Sequence, residues 1–295
     1  MSDFRLKVFQ SVAKNLSFTK ASQELFVSQP AITKHIQELE ATYQTRLFDR
    51  QGSKISLTES GRLLLEHCER ILEDYKRLEY EMHLLHNEYI GELKLGASTT
   101  IAQYVLPPLL GSFIGKFPQV NLSLLNGNSR EIEAALQEHR IDLGLVEGVF
   151  RLPNLKYTTF LEDELVAVVH SKSRLQLPEE ITPQDLPAIP LVLRERGSGT
   201  RDVIERSLQK HGVKLSSLHV LMYLGSTESI KLFLENSDCM GIVSIRSICK
   251  ELAAGTFRVV EIKDMPMLRD FCFVQLQGQE GGLSQAFMNY MFMSR

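Results

Sequence analysis

Two sets of residues in this sequence have the types and spacing to do chemistry. The first is a series of hydroxyl- and glycine-rich segments: Ser98, Thr99 and Thr100; Gly197, Ser198, Gly199, Thr200 and Arg201; and Ser226 with Thr227. Each follows a β-rich apolar run and opens a helical one. A helix N-terminus presents unpaired N–H groups and partial positive charge, and small hydroxyl side chains complete a cradle for an anion. Any one of these segments taken alone reads more readily as ordinary N-capping. Three of them in one body point instead to a shared cleft, with Asn128 and Ser129, which open another helix, as second-rank members. Glu147 ends a strand in the same region, and its carboxylate repels an anion unless it pairs with Arg201 or accepts from a ligand hydroxyl. The second set is Gln29, Pro30, Thr33, Lys34 and Gln37, which share one helix face opposite Ile32, Ile36 and Leu39. Uncharged hydrogen-bonding groups near a helix N-terminus suit base edges in a major groove, and Lys34 suits phosphate or guanine.

Catalytic chemistry finds little support. GxxxxGK[ST], GxSxG and HExxH are absent, and the 197–199 loop has the wrong spacing for a dinucleotide fingerprint. Cys68, Cys239, Cys249 and Cys272 form no CxxC pair, which argues against structural zinc and fits a reducing compartment. No catalytic residue, metal or cofactor is expected. The start of the chain lacks the apolar core of a signal peptide and no apolar run is long enough for a membrane helix, so the expected location is the cytoplasm.

The elements that position these residues can be read from patterning. Residues 1–57 break into three short helices and a hairpin. Phe4, Val8, Phe9 and Val12 mark the first helix; Ser17 caps a second containing Thr19 and Lys20; Ser28 caps a third over 29–41. The link through Phe26, Val27 and Ser28 has helix-turn-helix spacing. Leu47, Phe48, Asp49 and Arg50 then face Ile55, Ser56 and Leu57 across a polar tip, making a wing that aims Arg50 and Lys54 at phosphates or the minor groove.

The net charge of −3 hides a division. Residues 1–62 hold nine basic against six acidic side chains, residues 63–90 hold three against seven, and the remainder is nearly balanced. The acidic stretch predicts one long helix capped by Thr58 and reaching residue 90. Leu64, Cys68, Ile71, Tyr75, Leu78, Met82, Leu85 and Tyr89 recur at alternating spacings of four and three, a seam suited to pairing with a second copy. Thirty residues at about 1.5 Å each span roughly 45 Å. After Gly91, short strands alternate with helices, which predicts parallel α/β sheets with ligands at the carboxyl ends of strands. The domains so read are 1–57, a linker helix over 58–90, and 91–295, an α+β multidomain architecture overall.

At the level of motifs the sequence resembles the LysR-type transcriptional regulators. The residues that carry this are Ser17-Phe18-Thr19-Lys20-Ala21-Ser22 with Leu25; Val27-Ser28-Gln29-Pro30-Ala31-Ile32-Thr33 with Ile36, Leu39 and Glu40; Leu47-Phe48-Asp49-Arg50; and Leu57-Thr58-Glu59-Ser60-Gly61. The resemblance implies a winged helix-turn-helix, a dimerising linker helix and a two-lobed effector domain similar to periplasmic solute-binding proteins. It places lobe I at about 91–162 and 268–295 and lobe II at about 163–267. It also implies a DNA operator, a homodimer assembling to a homotetramer, and contact with RNA polymerase. Effector contacts fall at Ser98, Thr99, Thr100 and Thr227, faced by Ser198 to Arg201. The run from Glu195 to Arg201, with Leu145-Val146-Glu147-Gly148 and Gly225-Ser226-Thr227-Glu228, is similar to a branch regulating sulfur or cysteine metabolism and carbon fixation, which implies a small oxyanion effector. The alternatives are a thiol-based redox sensor using Cys239 and Cys249, and a solute-binding-like protein.

Overall fold

In a computed structural model, which describes residues 4–51, 54–84, 89–278 and 281–293, the chain divides into two compact units, Met1–Glu88 and Tyr89–Arg295. The first unit contains α1 (Phe4–Asn15), α2 (Phe18–Glu24), α3 (Gln29–Tyr43), a hairpin of β1 (Phe48–Gln51) and β2 (Lys54–Leu57), and α4 (Glu59–Leu84). Ser17 accepts from the Lys20 amide at 3.2 Å and Ser28 from the Ala31 amide at 3.4 Å, so both helix starts are capped by their own side chains. Between α2 and α3, Phe26 takes a left-handed conformation and stands almost fully exposed. Val8, Phe9, Val12, Ala21, Ile32, Ile36 and Leu39 form the core, closed by Leu47 and Phe48 from the hairpin and by Cys68 and Leu72 from α4.

One contact fixes the angle between hairpin and long helix. The Thr58 amide donates to the Leu47 carbonyl at 3.1 Å and Thr58 Oγ1 accepts from the Gly61 amide at 2.9 Å. A Cβ at Gly61 would lie 2.1 Å from that same carbonyl, so only glycine permits the approach.

The long helix departs from the sequence expectation at both ends of its seam. It starts as predicted after Thr58 but is helical only to Leu84; residues 85–88, including Leu85, lie outside the described residues. Tyr89 and Ile90 are not helical, and the Tyr89 ring packs 4.6 Å from Phe117 in the second unit. At the other end, Cys68 is fully buried and donates to the Leu6 carbonyl, while Leu64 packs against the same core. The first turns of the seam are therefore consumed by α1. Exposed apolar surface persists further along, at Ile71, Leu78 and Met82, with Tyr75 half-buried.

The second unit runs β3 (Gly91–Ser98), a π turn (Ile101–Val105), α5 (Leu106–Lys116), β4 (Val120–Gly127), α6 (Ser129–Gln137), β5 (Leu143–Glu147), β6 (Leu155–His170), β7 (Glu180–Ile181), β8 (Leu191–Arg194), α7 (Gly199–Lys210), β9 (Val220–Leu224), α8 (Thr227–Glu235), β10 (Met240–Ser244), α9 (Cys249–Ala253), β11 (Phe257–Ile262), β12 (Met267–Leu276) and α10 (Gly282–Met293). The main path of the sheet is β4-β3-β5-β12-β6-β10-β8-β9. Both wings are parallel: β3 with β4 and β5, and β8 with β9 and β10. The expectation of wholly parallel sheets fails in the middle. There β6 and β12 run antiparallel to each other, β12 antiparallel to β5, and β6 antiparallel to β10 and β11. The reason is length: β6 continues through the polar stretch 156–164, where an apolar pattern gives no strand signal, and so passes from one wing to the other. A bulge between Phe271 and Cys272 interrupts its pairing with β12. Ile132, Leu136, Val146 and Val274 anchor the core of the first wing, and Leu191, Ile204, Leu208 and Ile242 that of the second.

Replacing Gly61 by Ala forces α4 away from the Leu47 carbonyl, the backbone atom just before β1. We expect a loss on the order of 2 kcal/mol in urea unfolding of the winged unit.

Candidate functional site

The parallel strands of both wings end on one cleft. From the first wing come Ser98, Thr99 and Thr100 after β3, Asn128 and Ser129 after β4, and Glu147 at the end of β5; from the second come Arg194 and residues 195–200 after β8, and Thr227 after β9. Ser98, Thr99, Thr100, Ser129, Glu147, Ser198, Thr200 and Thr227 are all buried. The side facing them was not singled out from sequence: Arg194, only 1% exposed, is the largest fully buried side chain. Its Nε and Nη2 grip Glu195 at 2.8 and 3.0 Å, and Nη2 also donates to Thr99 Oγ1 at 3.3 Å and to the Gly225 carbonyl at 3.2 Å. That leaves Nη1 buried without a partner, as are Thr100 Oγ1, Ser198 Oγ and Gln103 Oε1. Unsatisfied buried polar groups cost about 1 to 3 kcal/mol each, and a bound oxyanion is the kind of group that relieves the three donors among them, Arg194 Nη1, Thr100 Oγ1 and Ser198 Oγ. The signal for Arg194 was present as a charge closing the apolar run Leu191, Val192, Leu193.

Other expected members of the site are engaged elsewhere. Asn128 and Glu131 cap α6 reciprocally, and Ser129 Oγ donates to the Glu147 carbonyl at 2.7 Å. Gly197 sits at φ 97° against Asn128, and a Cβ at Gly199 would lie 1.9 Å from the Glu147 carbonyl. These glycines let the two wings touch. Arg201 turns away, its guanidinium 4.7 Å from the Tyr223 ring centroid, so the expected Glu147–Arg201 pair is replaced by another. Glu147 accepts from Ser98 Oγ and lies 3.4 Å from Arg269 Nη1. Arg269 in turn donates to Thr200 Oγ1 at 2.8 Å and to Asp163 at 2.7 Å, and Asp163 accepts from Ser244 Oγ at 2.7 Å. The charge of Glu147 is thus neutralised from β12, a residue pair 122 positions apart that no spacing argument reveals.

A second bond joins the wings at Tyr104, whose hydroxyl donates to Glu228. Tyr104 lies in the π turn. Pro107 and Pro108 lack the amides that would close ordinary helical bonds onto the Gln103 and Tyr104 carbonyls, so the Leu106 amide reaches back to Ile101 instead. Lys231 Nζ bridges Glu228 at 2.8 Å and Glu251 at 2.6 Å. Burial and the bond to Glu228 push the Tyr104 phenol upward. Burial alone raises the Glu228 carboxyl, but the bonds from Lys231 and Tyr104 outweigh it and hold the group below its ordinary range.

In the winged unit, Thr19, Lys20, Ser28, Gln29, Pro30, Lys34 and Gln37 are exposed and Thr33 half-buried, with Thr19 Oγ1 3.3 Å from Gln29 Oε1. In the hairpin backbone Arg50 stands opposite Ile55 and Lys54 opposite Gln51, while the side chains of Arg50 and Lys54 lie outside what is described. Of the two cysteines considered for redox sensing, Cys249 is exposed and Cys239 is buried, and burial pushes the Cys239 thiol up, away from the reactive thiolate. Among the described residues no group of three or more metal-ligating side chains occurs and no helix is long and apolar enough to cross a membrane.

A winged helix-turn-helix joined to a two-winged α/β body with a polar cleft defines a ligand-responsive DNA-binding regulator. Comparison with known proteins agrees: residues 4–62 match the bacterial regulatory helix-turn-helix protein, lysR family, and residues 86–292 match the LysR substrate binding domain. The chain belongs to the LysR family of transcriptional regulators. It is 30% identical over 269 residues to the HTH-type transcriptional regulator CysL of Bacillus subtilis, covering 91% of this chain and 89% of that one. It is also 30% identical over 289 residues to the RuBisCO operon transcriptional regulator of Acidithiobacillus ferrooxidans, covering 98% and 92%. The regulatory domain of Synechocystis PCC6803 CcmR in complex with 2-PG superposes with a TM-score of 0.62 at 28% identity, covering 69% of this chain and 97% of that one. Full-length CbnR with its target DNA has the same fold, with a TM-score of 0.62 at 23% identity over the whole of both chains.

A carboxylate with a depressed folded pKa contributes stability that is present above its unfolded value, about 4.3 for Glu, and lost as pH falls through the folded value. The body should therefore lose stability between about pH 6 and about pH 3 more steeply than its Glu228→Gln variant. Urea midpoints at the two pH values measure this; equal acid sensitivity contradicts the Tyr104–Glu228–Lys231 arrangement.

Proposed function

We propose that the cleft binds a small oxyanion, with Arg194 Nη1, Thr100 Oγ1 and Ser198 Oγ as its principal donors and Ser98, Thr99, Gln103, Thr200 and Thr227 completing the walls. The observation that carries this reading is a guanidinium buried at the junction of the wings with one terminal nitrogen left unpaired. Arg194 already bonds to Thr99 across the cleft. An anion accepting from both sides favours the closed arrangement, which is the differential affinity that a population shift requires. The relatives named for RuBisCO regulation and the 2-PG complex of CcmR support an anionic metabolite as effector.

The winged unit reads double-stranded operator DNA through Gln29, Pro30, Thr33, Lys34 and Gln37, with Thr19, Lys20, Ser28, Arg50 and Lys54 on phosphates. Ile71, Tyr75, Leu78, Met82 and Leu85 pair two chains. Leu124 and Leu125 on one edge strand of the sheet and Leu221, Met222 and Tyr223 on the other are exposed, and such edges suit body-to-body contacts that build a homotetramer. The protein acts in the cytoplasm by binding alone, passing effector occupancy to DNA geometry and to RNA polymerase.

Isothermal titration with sulfate, inorganic phosphate and small carboxylates tests the cleft. We expect heat from at least one of them and a loss of more than about tenfold in affinity for Arg194→Met. No heat, or undiminished binding by the variant, overturns the assignment.

For the DNA face, fluorescence anisotropy over a salt series should show Lys34→Ala lowering the salt slope by about one. Gln29→Ala with Thr33→Ala should abolish the preference for operator over unrelated DNA. Retained preference refutes the face.

A further inference from the structure

A second cavity lies where β6 and β12 cross between the wings. It has a volume of about 620 Å³ and is lined by Gly148, Val149 and Arg151 from the first wing, Arg206, Ile245 and Arg246 from the second, and 162–164 and 268–270 from the crossing strands. It shares none of the unpaired groups of the oxyanion cleft. Its charges are balanced and mostly unspent. Arg269 and Asp163 pair with each other and are buried. Around them stand three further guanidiniums, Arg151, Arg206 and Arg246, and three further carboxylates, Glu162, Glu164 and Asp270. Among the described residues no ion pair forms between these two sets. Arg151 stacks 4.4 Å from the Tyr157 ring and donates to Cys272 Sγ, and Arg246 lies 3.6 Å from the already occupied Asp163 and donates to the Glu162 backbone carbonyl at 3.0 Å, so neither guanidinium meets the Glu162, Glu164 or Asp270 carboxylates. Opposite charges held around one cavity without joining leave a space that a molecule carrying both signs can bridge. Val149, Ile245 and Leu268, the last 68% exposed, give that molecule an apolar floor.

We propose that this cavity is a second ligand site and that its ligand class is a small zwitterion, an α-amino acid, with its carboxylate on Arg206 and Arg246 and its ammonium on Glu162, Glu164 and Asp270. A cavity of this size falls within the range of small-molecule sites. Arg269 lines it and also touches Glu147, which holds Ser98 in the oxyanion cleft, so occupancy at one site is felt at the other.

The test uses the full-length protein, titrated calorimetrically with each of the common L-amino acids to about 10 mM. The expected result is binding by at least one. Its N-acetyl and its amide derivatives, each lacking one charge, should bind at least about tenfold more weakly. Arg246→Ala and Glu164→Ala, both at exposed positions and each checked for an unchanged urea midpoint, should each weaken it comparably, while Arg194→Met leaves it intact. Absence of binding by every amino acid overturns the proposal. So does equal binding of the derivatives, or loss of binding in Arg194→Met with retention in Arg246→Ala.

Discussion

The body is organised around one buried ion pair. Arg269 and Asp163 sit side by side on the two crossing strands, and together they reach both wings: Arg269 to Glu147 in the first and Thr200 in the second, Asp163 to Ser244 in the second. Removing one partner of such a pair costs about 3 to 5 kcal/mol, because the other is left charged and unsolvated. The pair therefore fixes the register of β12 against β6 as firmly as the ladder of backbone bonds does. The first wing's side of the cleft is hung from it in sequence: Glu147 is held by Arg269, Ser98 by Glu147, and the first hydroxyl segment by the strand that ends in Ser98.

From that anchor the cleft closes through small residues and a few long polar reaches. Gly199 approaches the Glu147 carbonyl closely enough to exclude any side chain, Arg194 spans to Thr99, and Tyr104 spans to Glu228. The contacts are polar and few, which suits an interface that must open. An apolar seam of the same extent would hold the wings shut irrespective of ligand.

The winged head was legible almost completely. Its helices are short, its caps are local hydroxyls one turn away, and its core positions follow helical spacing, so near-neighbour physics determines them. The long helix was legible in its start and its period, but the partner of that period was not: the same spacing that suits a second copy at Leu78 serves α1 at Cys68. In the body, the hydroxyl segments were read as helix starts and they stand at helix starts, although of Thr100, Ser198 and Ser226 only Ser226 caps its helix with its side chain. Arg194, Arg269 and Asp163 were not assigned, because a buried charge is defined by its partner, and here the partners are far away in sequence. For Glu147 the sequence offered pairing with Arg201 or accepting from a ligand hydroxyl; Arg269, which lies beside it, was not considered because nothing in the motif brings it near. Strand direction failed for a related reason: β6 crosses between wings as a polar ribbon whose burial comes only from tertiary neighbours.

The bulge between Phe271 and Cys272 has a mechanical meaning. Elsewhere the two crossing strands are laced rung by rung, and a laced pair resists sliding but yields to bending. The extra residue, Phe160, breaks one rung beside the boundary between wings while its ring stays buried against Phe273. The wing movement that the proposed effector response requires would break the fewest rungs along that boundary. A regulator flexing there would have a narrow mechanical vocabulary: it would report how far the cleft is closed and discard the rest of what its ligand does.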